Sequence, residues 1–125
     1  MEKIEAYKVL LQALLPEELF NSFELKDVQV HEDKLDVHLD EQNIQPEGYT
    51  TEKLISKGFY DPIQILDFPI RDRAVFLHIR CRKWQVVSTK KIISKNWDLM
   101  AKGTHYTKSL ASFLKEAHGY IPGKQ

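Results

Sequence analysis

The residues of this chain best equipped for chemistry are cations gathered in its second half. Arg71, Arg73, Arg80, Arg82, Lys83, Lys90 and Lys91 fall between positions 71 and 91, with His78 and Trp84 interleaved. Guanidinium forks and ammonium groups are donors that phosphate oxygens accept, and an aromatic ring among them can stack on a base or a sugar. These residues form the candidate DNA-binding set. The same pattern has a structural reading, in which Trp84 and Trp97 anchor a core and the cations keep a sheet edge soluble.

The other reactive side chains are not spaced for catalysis. His31, His38, His78, His105 and His118 form no HExxH motif or Cys/His cluster, and a zinc site would have to be collected from distant elements. Cys81, the single cysteine, alternates with apolar residues and reads as a small buried hydrophobe rather than a nucleophile. Asp36 and Asp40, evenly spaced, read as the solvated face of a strand. Neither a glycine-rich phosphate loop nor a nucleophile elbow occurs. The expectation is a protein that is not an enzyme and needs no metal or cofactor.

Hydrophobic periodicity gives the elements that must position these residues. Ile4, Tyr7, Leu10, Leu11 and Leu14 lie at helical spacing opposite Glu2, Glu5, Lys8 and Gln12, which predicts an amphipathic helix over 2–15 packed into the core. Pro16, followed by Glu17 and Glu18, opens a short second helix to Phe23 carrying Leu19 and Phe20. The period then changes to two. Leu25, Val28 and Val30, a turn at 31–34, and Leu35, Val37 and Leu39 alternating with Asp36, His38 and Asp40 predict an acidic-faced hairpin. A loop over 41–51 and a strand over 53–60 follow.

Next come a strand over 63–68 broken by Pro69, a turn at Arg71-Asp72-Arg73, and one long strand from Ala74 to Trp84. Along that strand Val75, Leu77, Ile79 and Cys81 share one face, and Phe76, His78, Arg80, Arg82 and Trp84 the other. A hairpin joins 85–87 to 92–93 through Ser88-Thr89-Lys90-Lys91. Thr104 or Thr107 caps a final helix with Leu110, Phe113, Leu114 and Ala117 on a stripe, stopped by Gly119 and Pro122. The predicted fold is α+β: a small antiparallel sheet of hairpins packed by two N-terminal helices and one C-terminal helix. It reads as a single domain over 1–125, helical over 1–24, β-hairpin sheet over 25–97 and C-terminal helix over 104–118.

Composition bounds the partners. The chain has 125 residues, 42% of them apolar, and a formal net charge of zero that conceals segregation. Residues 1–67 carry 15 acidic residues and 6 lysines, a net −9, and residues 68–125 carry 12 basic and 3 acidic residues, a net +9. Such polarity marks an electrostatic partner surface, or two halves that neutralise each other across the fold. The first residues lack a signal peptide's basic and apolar regions, and no apolar run approaches the ~20 residues of a membrane span. The expectation is a cytoplasmic protein without a membrane partner.

The run from Leu66-Asp67-Phe68-Pro69-Ile70-Arg71 through Val75-Phe76-Leu77-His78-Ile79-Arg80-Cys81-Arg82-Lys83-Trp84 resembles a signature in the N-terminal region of bacterial insertion-sequence transposases of the DDE type. In those enzymes a zinc ribbon and a helix-turn-helix precede the catalytic domain. The run from Trp97 to Lys115 is similar to the segment entering the helix-turn-helix, and Leu14-Leu15-Pro16-Glu17-Glu18-Leu19-Phe20 to the start of a subgroup that encodes this region as its own reading frame. The Cys-x-x-Cys pairs that flank the hairpin in zinc-ribbon relatives are missing here, so no metal ligands are carried over.

The resemblance implies a non-catalytic DNA-binding or assembly region, with the transposon ends as DNA partner. Catalysis would lie on a separate subunit or a fused downstream domain made by frameshifting. The alternatives are a protein-interaction module that docks on the catalytic subunit or self-associates, and an inactive relic of a mobile element. A DNA binder should show its cations on one exposed face away from the acidic hairpin; an interaction module should pair them with it.

Overall fold

The structure, a computed structural model, describes residues 3–118, with side chains from 6 to 117. The expected helix start at Glu2 and stop at Gly119 and Pro122 lie outside the described residues, as do the side chains of Ile4, Glu5 and His118. The elements run α1 (Lys3–Leu14), α2 (Glu17–Ser22), β1 (Phe23–Val30), β2 (Lys34–Glu41), β3 (Leu54–Phe59), β4 (Ile63–Ile70), β5 (Arg73–Arg80), β6 (Arg82–Val86), β7 (Ile92–Ile93) and α3 (Lys108–His118). This is an α+β fold with two N-terminal helices and one C-terminal helix, and its strands form two sheets, one of order β1-β2-β5-β4 and one of order β3-β6-β7.

Local chemistry explains most of these elements. Pro16 stands at the N-cap of α2, where its missing N–H is no loss, and Glu17 and Glu18 lie in the first turn. Arg71 and Asp72, at φ 53° and 66°, make the two-residue turn whose left-handed pair matches the twist of a hairpin. Thr107 caps α3: its hydroxyl accepts from Leu110 N at 3.3 Å and donates to buried Asp67 at 2.8 Å. The cap is tied to β4 as well, because Leu66 N donates to His105 O and Thr107 N to Leu66 O.

Three features depart from expectation. First, β2 and β5 pair in parallel, Val37 beside Leu77 and Leu39 beside Ile79, so two antiparallel hairpins are joined side by side in the larger sheet. Second, the long strand expected over 74–84 is two strands. The chain leaves the larger sheet at Cys81, whose carbonyl accepts from Tyr60 N, and enters the smaller one as β6. Beyond that break the alternation restarts, and Trp84 turns inward with Leu54 and Val86 into a small second cluster.

Third, the apolar stripe of α1 is largely uncovered. Tyr7 is 62% exposed, Leu10 58% and Leu14 49%. Among the described side chains, only Leu11 and the following Leu15 reach the core. Coverage of the sheet explains this. The apolar face built from Val37, Leu39, Ile65, Val75, Leu77 and Ile79 is already met by Leu19, Phe23, Trp97, Leu99 and Met100, which leaves α1 at the margin beside β1.

The packing sets the expected mutational pattern. Leu77→Ala, at a fully buried position, should cost about 2–5 kcal/mol. Leu14→Ala, on the uncovered stripe, should stay within about 0.5 kcal/mol. Urea denaturation of the two variants beside the parent checks both.

Candidate functional site

The parallel ladder brings the acidic hairpin and the basic strand together. In it Asp36 lies beside Phe76, His38 beside His78 and Asp40 beside Arg80, all on the face opposite the core. Asp36 and Asp40 are buried, not solvated as the even spacing predicts. The neighbouring strand's side chains cover them, because two period-two rows of opposite charge lie in register.

Each carboxylate has its cation. Arg80 clasps Asp40 with both arms, Nε to Oδ1 at 2.7 Å and Nη2 to Oδ2 at 2.5 Å. That paired hydrogen bond holds the Asp40 carboxyl below the usual carboxylate range against the opposing effect of burial, and raises the Arg80 guanidinium. Asp36 accepts from His78 Nε2 at 2.7 Å and lies 3.0 Å from His31 Nε2 and 3.6 Å from Lys34. Its pKa is lowered first by the His78 hydrogen bond, against burial, and further by the charges of Lys34, His78 and His31. The His78 ring stacks on His38 with centroids 4.7 Å apart.

At the end of this seam stands Glu41, 1% exposed. Its Oε1 accepts from Trp97 Nε1 at 2.9 Å and from Arg82 N at 3.0 Å, while its backbone carbonyl accepts from Arg82 Nε at 2.9 Å. The guanidinium carbons of Arg80 and Arg82 lie 4.2 and 4.6 Å from the centre of the Phe59 ring. Between them, burial pushes the Cys81 thiol up to about 11, with the Glu41 charge acting in the same direction. The thiol is protonated at neutral pH and poorly nucleophilic.

The candidate DNA-binding set is thereby divided. Arg80, Arg82 and His78 are held by the acidic hairpin, and Arg73 donates Nε to His31 O at 2.7 Å. Trp84 is buried, which corrects its expected place on the cationic face. Arg71 is exposed at the β4–β5 turn, roughly 25 Å from Arg80 at ~3.3 Å per strand residue. Lys90 and Lys91 are exposed in the β6–β7 turn, and half-buried Lys83 sits 5.1 Å from the Tyr60 ring centre. The nine residues do not form one contiguous patch.

Two groups escaped the sequence reading. Glu41 falls at the start of the expected loop, and no local signal marks it as the anchor of the crossing. Lys53 and Lys57, exposed on and beside β3, share the small sheet with Lys83, Lys90 and Lys91. They lie in the acidic half, where charge counting hides them. Among the described residues no group of three or more His, Cys, Asp or Glu could hold a metal ion, and no helix is long and apolar enough to cross a membrane. Comparison of the chain with protein families, curated proteins and solved structures finds no match.

The seam makes the fold acid-sensitive in a defined direction. Asp36 and Asp40 have folded-state pKa values below their unfolded ones, so their stabilisation is complete above the unfolded value near 3.8 and is lost as pH falls through the folded values. Stability should therefore fall below about pH 4, each carboxylate contributing up to about 1.4 kcal/mol per pH unit. Asp40→Asn should flatten that limb in urea melts taken from pH 2 to 7. Arg80→Ala should cost about 1–3 kcal/mol; the exposure of its guanidinium lets water replace part of the bond.

Proposed function

We propose that the chain is a non-catalytic accessory region of an insertion-sequence transposase, acting by protein contact in assembly with the catalytic subunit. The proposal rests on the resemblance of residues 66–84 and 97–115 to the N-terminal region of such enzymes. The observation that carries the choice of protein contact is the pairing of the basic strand with the acidic hairpin, Arg80 to Asp40, His78 to Asp36 and Arg82 to Glu41. Arg80, already clasped by a buried carboxylate, must break that bond to take up a phosphate, and the Arg82 guanidinium is engaged by the Glu41 backbone carbonyl and the Ser56 hydroxyl, so both are poor phosphate contacts. They act as staples between the hairpins, and the accessory role falls to other surfaces.

A second reading, direct contact with the transposon ends, is favoured by one observation. Lys83, Lys90, Lys91, Lys53 and Lys57 all belong to the small sheet or its turns, and among the described residues none of them forms a salt bridge. In this reading the DNA contact runs through these lysines and not through Arg80, which Asp40 already holds.

The two readings separate by salt titration and capture. The chain should copurify in stoichiometric amount with a DDE catalytic polypeptide of the same element. Binding to a labelled duplex should be weak, with a log–log salt slope no steeper than about −3, and Lys90→Ala with Lys91→Ala should make it shallower by about two units. A slope near −5 that depends on Arg80 and Arg82, without capture of the catalytic polypeptide, would sink the protein-contact reading.

A further inference from the structure

We propose that the free edge of β3 takes up an extended acidic segment of a partner protein, which joins the small sheet as a further strand. This deepens the assembly reading above and rests on it for the identity of the partner. β3 is an outer strand of its sheet, paired with β6 on one side only. Leu54 lies opposite Val86 and Ile55 opposite Gln85, and Val87 N donates to Lys53 O at 2.9 Å. In an antiparallel ladder, residues that exchange backbone bonds alternate with residues that do not. Lys53 and Ile55 therefore turn their backbone groups to β6, and Leu54 and Ser56 turn theirs outward. The edge offers a further strand two N–H donors and two carbonyls at ladder spacing. The register irregularity between Ser56 and Phe59, with Gly58 at φ 86°, confines that offer to the stretch before it.

The side chains beside this edge select the occupant. On the face opposite Leu54, Trp84 and Val86, Ile55 lies in one row with Gln85 and Ile92, and Ile55, Val87 and Ile92 stand 38–45% exposed. Alternation sets exposed Lys53 and Lys57 on that same face, one on either side of Ile55 and roughly 13 Å apart along the strand. Half-buried Lys83 joins them from β6. Among the described residues none of these three lysines forms a salt bridge, and the acid beside them in sequence, Glu52, accepts from the Ser88 hydroxyl at 3.2 Å.

A strand laid along β3 sets its own side chains directly beside these. The segment that fits has an apolar residue beside Ile55 and an acid two positions to either side of it, facing Lys53 and Lys57. Other occupants fit less well. Antiparallel pairing with β3 of a second copy about Ile55 would set Lys53 of one against Lys57 of the other, and like charges directly opposite are destabilising. A DNA duplex would engage the lysines but leave the outward backbone groups of Leu54 and Ser56 without ladder partners. The aliphatic row gives an unpaired base no ring to stack on.

Amide hydrogen exchange of the full chain, read by NMR with a synthetic heptapeptide, tests this. In the peptide a central valine has glutamate two positions to either side, and threonine fills the rest. A contact of so few bonds is weak, with Kd on the order of 100 µM, so at about 1 mM peptide the Leu54 and Ser56 amides should exchange about tenfold more slowly. The same peptide with lysine in place of glutamate should leave them unchanged. Lys53→Glu with Lys57→Glu should reverse that preference. Ser56→Pro, which removes an N–H that the β3–β6 ladder does not use, should abolish the protection of Leu54 while the sheet is kept.

No slowing with the acidic peptide overturns the proposal, as does protection of Leu54 that survives Ser56→Pro. A labelled duplex bound through Lys53 and Lys57, with no protection of Leu54 and Ser56 by the peptide, overturns it in favour of DNA. Capture of the catalytic polypeptide that survives both variants overturns the docking edge and leaves the assembly reading standing. The expected peptide results without any such capture support the edge and remove that reading.

Discussion

Between Lys34 and Asp40 on one strand and Ala74 and Arg80 on the other runs a parallel ladder, the one place where the two hairpins of the larger sheet touch edge to edge. Both faces of the sheet depend on it. On one side it sets Val37 beside Leu77 and Leu39 beside Ile79, which places the apolar row of each hairpin under α2 and the Trp97 segment. On the other it sets the carboxylates of Asp36 and Asp40 against His78 and Arg80. Because strand side chains alternate, a one-residue slip would put every one of these groups on the wrong face. The apolar row and the charged row enforce the same register.

The charged row continues into the crossing from one sheet to the other. Glu41 draws in the Arg82 backbone and the Trp97 indole, and the two guanidinium groups flanking Cys81 lie over Phe59 at the end of β3. The polarity of the chain, net −9 before residue 68 and net +9 after it, is thus met in part inside the molecule, where Arg80 pairs with Asp40 and His78 with Asp36. The two faces that remain open differ in kind. Lysines stand around the small sheet, and apolar side chains stand along α1 and the end of β1.

What could be read from the sequence was what neighbouring residues decide between themselves. The turn at 31–34, a turn at Arg71-Asp72-Arg73, a threonine cap at 104 or 107 and the β6–β7 hairpin each follow from a few adjacent side chains. The hidden features depend on residues far apart. Nothing near Asp36 or Asp40 announces that His78 and Arg80, about forty positions on, will cover them. A signal did exist in the matching period of two, acidic in one strand and basic in the other, but parallel pairing had to be supposed before it could be used. The break at Cys81 is hidden for the same reason. Its alternation with Ile79 is regular, and what ends the strand is a backbone bond from Tyr60 and a carboxylate from Glu41. The α1 stripe was read correctly as apolar; its burial could not be, because other segments had already filled the sheet.

The forty-residue separation across the parallel ladder also bears on the order of events as the chain emerges during synthesis. The hairpin β1–β2 can close as soon as its own residues are free, and β4–β5 later closes in the same local way. Until β5 is complete, however, Asp36 and Asp40 lie open to water and Val37 and Leu39 have no neighbour on that side. The seam forms only then, after a loop closure across about forty residues. For that interval the nascent chain displays an acidic strand edge, and its repulsion of other copies guards the unfinished sheet against premature pairing.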